Sequence, residues 1–297
     1  MSPRDRFHDL PDEQLLSRLR AWRRYNVHIG LVPRASAFWS GLLYREPRGA
    51  IAEYAQLFDT ALFPCGTRPD AALLARLGAQ AGKEFHWTLL VDGDEMAYRF
   101  PHAHPDRRLR GELNARFLDP RRIWEAVAPL VRLVDTASCV VLLDIRGIYA
   151  TEALSFDAFL GALTRCLDGL PPVCRFAVAN GTPRFVLPEY FALLGERNVM
   201  HVPGPAALAA TLRTPGALGA DACTLRSACL AMEEEGEEWG AFRAAVRFCL
   251  EGRKPLRAYL AAGENATDGG GAERLTRLLA GLDPELARRS PIRRKAA

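Results

Sequence analysis

Lysine is nearly missing from this 297-residue chain: Lys83, Lys254 and Lys295 are the only three, so arginine carries almost all of the positive charge. Long apolar runs are missing too. No segment approaches the roughly 18 consecutive apolar residues that a membrane-spanning helix needs, so no membrane role is expected. Seven cysteines lie at 65, 139, 166, 174, 223, 229 and 249 with no C-x-x-C pair. An odd count, with several inside apolar runs, reads as free thiols packed like small hydrophobes, not as a disulfide or zinc framework. The start, Met1-Ser2-Pro3-Arg4-Asp5-Arg6, lacks the apolar core of a signal peptide, and a reduced cytoplasmic protein is expected. No phosphate-loop pattern, nucleophile elbow or dinucleotide fingerprint occurs. Net charge is only +4, and the arginines are interleaved with acids except in the tail Arg288-Arg289 and Arg293-Arg294-Lys295. That spread argues for solvated helix faces and against a nucleic-acid partner.

What is present is a rhythm. Eight times a short apolar run gives way to Gly, Pro or Asp and then to a helix-like stretch. Expected strands are Asn26–Val32, Asp59–Phe63, Phe85–Val91, Cys139–Ile145, Arg175–Ala179, Asn198–Pro203, Ala220–Arg226 and Pro255–Ala262. Continuous apolar runs suit parallel strands buried on both faces, each followed by a crossover helix. Helices are expected at 70–81, 123–133, 156–167, 187–194, 206–212, 239–250 and 270–282, and an amphipathic helix at 11–24 precedes the first strand. At 49% hydrophobic the chain can bury a large core. The expected fold is α/β, a single TIM-like (β/α)8 barrel over 27–283, with an N-terminal helical extension at 1–26 and a basic tail at 284–297. Catalytic groups of such barrels lie at the C-terminal ends of the strands. The stretch from Asp92 to about Leu118 breaks the rhythm, and a loop of that length is expected to be functional or mobile.

By the second unit, Tyr54-Ala55-Gln56-Leu57-Phe58-Asp59-Thr60 resembles the domain of unknown function 72 family of TIM-barrel-like proteins. Ile29-Gly30 with Phe38-Trp39-Ser40-Gly41 and Tyr44 is similar to that family's opening motif. Leu142-Leu143-Asp144-Ile145, Pro188–Leu194, Ala258-Tyr259-Leu260 and Gly271–Leu275 follow in family order. The resemblance spans about Val27 to Leu282 and implies the barrel. It also implies a loss. The family's strand-end glutamate, lysine and second glutamate correspond to Leu62, Leu90 and Ala179. Its arginine and histidine correspond to Gly181 and Thr182, and its paired asparagines to Ala261 and Ala262. Leucine and alanine can neither accept a proton nor hold an anion, so the inherited polar site is expected to be largely erased.

Remaining candidates are few, and each has a bland alternative. Asp144, which replaces a family glutamine, is a general base or a loop salt bridge with Arg146. His104 lines the pocket or is a solvated loop histidine. With His102 and Asp106 it has metal-like spacing, but no second ligand cluster is evident and no metal is expected. Arg226 resembles a family arginine and could bind an anion. Trp39 and Tyr44 form a pocket wall or simply pack. Asn180 and Thr182, at the end of the fifth strand, complete the candidate ligand contacts. Cys65 reads as an inert thiol and His201 as a hydrogen-bonded core histidine. Asp268-Gly269-Gly270-Gly271 before the last helix is a phosphate cradle or a flexible loop. Two functions stand: a ligand-binding or protein-interaction barrel, or an enzyme rebuilt around Asp144, His104 and Arg226 for a small anionic substrate. The sequence names no cofactor.

Overall fold

The computed structural model describes residues 17, 20–31, 54–55, 58–65, 71–82, 84–145, 148, 153–202, 223–228 and 256–261. The chain divides into two compact units. One comprises 1–61, 205–213 and 221–297; the other comprises 62–204 and 214–220.

The second unit is a run of parallel strands with helical crossovers. Strand β2 (Thr60–Pro64) contributes its last three residues here and its first two to the other unit. It is followed by β3 (His86–Val91), β4 (Cys139–Ile145), β5 (Arg175–Asn180) and β6 (Met200–Val202), adjacent in that order. The register is uniform: Leu90 pairs with Leu142, Leu142 with Ala177, and Ala177 with Met200. Five consecutive residues of β4, 139–143, have no exposed surface. That is why the segment reads as an uninterrupted apolar run.

Four helices cross back: α1 (Ala71–Gln80), α2 (Pro120–Val131), α3 (Phe156–Gly169) and α4 (Pro188–Glu196). Helix α2 starts at Pro120, which has no N–H to leave unpaired, and Asp119 caps it by accepting from the N–H groups of Arg121 and Arg122. Its apolar stripe, Ile123, Val127, Leu130 and Val131, is buried at helical spacing. Ser155 caps α3 through Ala158, and Phe159, Leu163, Cys166 and Leu167 are buried on one face. Helix α4 ends in a Schellman turn. The Asn198 N–H donates to Gly195 O and the Val199 N–H to Leu194 O, with Asn198 in the left-handed region at φ 51°.

The first unit contains β1 (Val27–Leu31), β7 (Cys223–Ala228) and β8 (Leu256–Ala261), with β8 pairing in parallel with both β1 and β7. Leu31 of β1 pairs with Ala61 of β2. A helix ending near Arg23 precedes β1, its Trp22 fully buried. Asn26, φ 62°, then turns the chain into the strand, one residue later than the sequence pattern implies. Gly30 of β1 lies so close to Thr60 that a Cβ there would meet the Thr60 carbonyl oxygen and come within 2.7 Å of its Cγ2. Tyr259, the β8 partner of Gly30, reaches Thr60 Oγ1 at 2.7 Å, and the Tyr54 hydroxyl donates to Thr60 O at 2.7 Å. Gly30 is thus the gap that lets a tyrosine from the next strand bond to the strand beyond.

All eight expected strands are present and every described ladder is parallel. A ladder between β6 and β7 is not among the described residues, so the architecture observed is an α/β fold with a parallel sheet. No helix among the described residues is long and apolar enough to cross a membrane. The expected helices at 206–212, 239–250 and 270–282, and the glycine run at 269–271, lie outside the described residues.

Candidate functional site

Which way each strand end faces follows from His201. Its ring stands edge-on to Tyr190 and Phe191 of α4, at 5.5 and 5.3 Å between centroids, so on β6 it faces the helix. Val178 is its register partner and shares that side. Alternation puts Ala177 and Ala179 on the opposite face. Register then carries that face across: Leu90, Leu142, Ala177 and Met200 form one row, and Asp144, Ala179 and Val202 the next row toward the C-terminal ends. The Cys65 N–H donates to Leu90 O at 2.7 Å, a parallel register that sets Leu62 level with Thr88 and hence on the same face.

The positions where the resemblance implied lost polar groups in this unit, Leu62, Leu90 and Ala179, therefore share one face. Leu62 is fully buried and Leu90 nearly so, while Asp144 and Ala179 keep partial exposure. Asp92, one residue beyond β3, falls on the same face by alternation and is also partly exposed. In the sequence Asp92 reads merely as the start of a loop. The signal was available: it directly follows an unbroken apolar run, as Asp144 all but ends another. The face is largely apolar and buried, with the partly exposed carboxylates Asp92 and Asp144 at its C-terminal rim.

His104 is not at that rim as a free base. Its Nε2 lies 3.2 Å from Asp94 Oδ2, and its Nδ1 lies 3.1 Å from both the N–H and the carbonyl oxygen of Asp106. The Asp106 carbonyl and then the Asp94 carboxylate favour the charged ring and raise its pKa above the ordinary value. These bonds belong to a folded excursion over 94–118. The Asn114 side-chain amide donates to the carbonyls of Asp94 and Ala97 at 2.7 and 2.9 Å, and its oxygen accepts from Arg116 N. Arg99 and Leu113 form an antiparallel bridge. Met96 and Leu118 are buried, and the turn Asp94–Met96 packs on β4. The stretch expected to be irregular is a knotted-down substructure whose bonds join residues far apart in sequence. His102 is exposed, and no group of three or more His, Cys, Asp or Glu among the described residues is arranged to hold a metal.

Asn180 and Thr182 brace the neighbouring strand ends. Asn180 Oδ1 accepts from Thr182 N at 2.9 Å, and Thr182 Oγ1 accepts from Ile148 N at 2.7 Å. Gly181 N donates to Ile145 O. The turn after β5 thus holds the chain that leaves β4. Because Thr182 N is a donor, the oxygen of the Asn180 amide must face it, which leaves Nδ2 buried with no hydrogen-bond partner among the described residues. Asn180, two residues beyond Val178, lies on the helix side, away from Asp144.

Arg226 lies in β7 in register with Tyr259. Trp39, Tyr44 and Arg146 lie outside the described residues. Cys65 is buried, its thiol pKa pushed far up by burial and further by the charges of Cys139 and Asp92, which suits an inert thiol. His201 is fully internal. Tyr190 Oη lies 3.0 Å from its Nδ1, and burial lowers its pKa to about 4, so the ring is a neutral core group.

With this geometry established, known proteins bear on the chain as follows. No protein-family model matches it, and no curated protein does. Among solved structures it is similar to a DUF72 (domain of unknown function 72) family protein from Thermotoga maritima MSB8. The identity is 13%, the match covers 86% of this chain and 98% of that one, and the TM-score is 0.54. The chain is DUF72-like in fold. Two structures of a DUF72 family protein from Enterococcus faecalis V583 also match, at 12% and 11% identity, covering 86% of this chain and 97% and 95% of theirs, with TM-scores of 0.45 and 0.49. On this DUF72-like frame, Leu62, Leu90, Ala179 and Asp144 occupy one face near the strand ends, and His104 is engaged within its own loop.

Proposed function

We propose that this chain is a divergent member of the DUF72 family, a (β/α)8 barrel over residues 27–283 with a helical extension at 1–26 and a basic tail at 284–297. It works in the cytoplasm as a ligand-binding or protein-interaction barrel that has lost the family's polar site. The observation that carries this reading is the shared face of Leu62, Leu90 and Ala179, apolar where a catalytic barrel would put charge. A wall of this kind favours an apolar ligand body, and Asp144 at its rim fixes the ligand by accepting a hydrogen bond. Buried free thiols such as Cys65 and Cys166 agree with a reducing compartment.

A rival reading has an enzyme rebuilt around Asp144, with His104 and Arg226, for a small anionic substrate. It draws support from the two partly exposed carboxylates Asp92 and Asp144. The engagement of both His104 ring nitrogens weighs against it. A thermal-shift screen with apolar small molecules, metals, sugar phosphates and nucleotides separates the two, because a ligand of the native state raises the melting temperature. The binding reading expects stabilisation by an uncharged, largely apolar compound, diminished in Asp144→Asn. Stabilisation confined to phosphorylated compounds, together with their turnover by the wild type and not by Asp144→Asn, would sink it.

A further inference from the structure

We infer that residues 99–116, the outer part of the excursion, form a docking surface for an acidic segment of a partner protein, separate from the apolar face that carries Asp144. Its charge differs from that of the chain as a whole. Between Arg99 and Arg116 there are five arginines against two carboxylates, Asp106 and Glu112, a net of +3 in a chain whose total is +4, while Asp94 and Glu95 at the base of the excursion lower the net over 94–118 to +1. All five arginines are exposed. Two of them pin the fold: a guanidinium nitrogen of Arg99 donates to Gly111 O, and Arg110 Nε donates to His104 O. The other three, Arg107, Arg108 and Arg116, have no ion-pair partner among the described residues. Every basic residue here other than histidine is arginine, whose planar fork meets carboxylates in pairs of hydrogen bonds.

The platform is pre-organised. Asn114, His104 and the Arg99–Leu113 bridge hold its backbone, so the arginines project from a fixed scaffold and binding has only their side chains left to order. Leu113 adds the apolar element. It is 54% exposed and stands directly across the bridge from Arg99, which sets both side chains on one side of the ribbon. Arginine beside an exposed aliphatic is the composition of protein interfaces. A single-stranded nucleic acid would need stacking surfaces, and the aromatic rings here are already used: Tyr98 packs edge-on to Phe117 and Phe100 to His104. Carboxylates with an apolar side chain among them are the complement.

The test uses the full chain and a fluorescently labelled, glutamate-rich peptide with a central leucine, followed by anisotropy. Saturable binding is expected, weakening as salt rises, because the pairs are solvent-exposed. The triple variant Arg107→Gln/Arg108→Gln/Arg116→Gln should weaken it at least about tenfold, and Leu113→Ser should weaken it as well. All four side chains are exposed, so the melting temperature of these variants should match the wild type. Three results would each overturn the inference. One is the absence of saturable binding, or equal binding of the peptide with glutamine in place of glutamate. Another is binding that ignores either variant. The third is tighter binding of a single-stranded oligonucleotide of the same net charge than of the peptide.

Discussion

Acidification should destabilise the corner built by β5, β6 and α4 through one side chain, His201. In the fold its ring is enclosed by Tyr190, Phe191 and the neighbouring strand, and burial lowers its pKa to about 4. In the unfolded chain it titrates near the ordinary 6.5. Above pH 6.5 both states hold a neutral ring and the contribution to stability is complete. As pH falls below 6.5 the unfolded chain takes up a proton that the fold refuses, and stability is lost until pH reaches about 4. Each pH unit in that window costs about 1.4 kcal/mol, so the loss is about 2 kcal/mol at pH 5 and about 3 kcal/mol in full. Other groups titrate in the same range, and the reference is therefore His201→Asn, whose amide keeps a partner near the Tyr190 hydroxyl and carries no titrating proton. Urea unfolding followed by tryptophan fluorescence, at pH steps from 7.5 to 4.5, gives the difference between the two proteins. The wild type should lead at pH 7.5 and lose about 2 kcal/mol of that lead by pH 5. A lead that stays constant across the series would refute the argument, because it would mean that His201 titrates alike in both states.

Gly30→Ala should destabilise by about 3 kcal/mol or more, since its Cβ would strike the Thr60 carbonyl, which is backbone and cannot swing away; the shift in urea midpoint measures it. Thr182→Val keeps the side-chain shape but strips the Ile148 N–H of its acceptor, a loss of about 1–3 kcal/mol, and Ile148 should exchange its amide hydrogen faster. His104 should hold its proton above pH 6.5 in an NMR titration of ring shifts. Its raised pKa means that its contribution is complete below 6.5 and fades as pH rises through the folded value, and Asp94→Asn should lower the midpoint.

The strands were legible because each is a nearly continuous apolar run, and β3, β4 and β5 begin or end within a residue of where composition changes. Helix starts were less legible. Composition puts the start of α2 at Ile123, yet its cap is Asp119, with Pro120 following, four residues before the apolar stripe begins. The excursion was illegible for a different reason. What holds it is Asn114 bonded to carbonyls 17 and 20 residues earlier and His104 bonded to Asp94, and no periodicity encodes such pairs. Leu118, a buried leucine with positive φ at 57°, is equally invisible from sequence. Of the candidate residues, Asp144 kept its place at a strand end. Asn180 and Thr182 proved to be joints between strand ends, a role that needs the register of β4 against β5 to be seen.

The Schellman turn at Asn198 has a bearing on how the chain can change over evolutionary time. It sets the count of residues between the end of α4 and the start of β6, and that count decides that His201 meets the aromatic helix while Met200 and Val202 meet the other side. Adding or removing one residue between Asn198 and Met200 would reverse the assignment along the whole of β6. An imidazole would then enter the aliphatic layer and a methionine would face Tyr190 in its place. This junction should therefore tolerate substitution far better than any change in length.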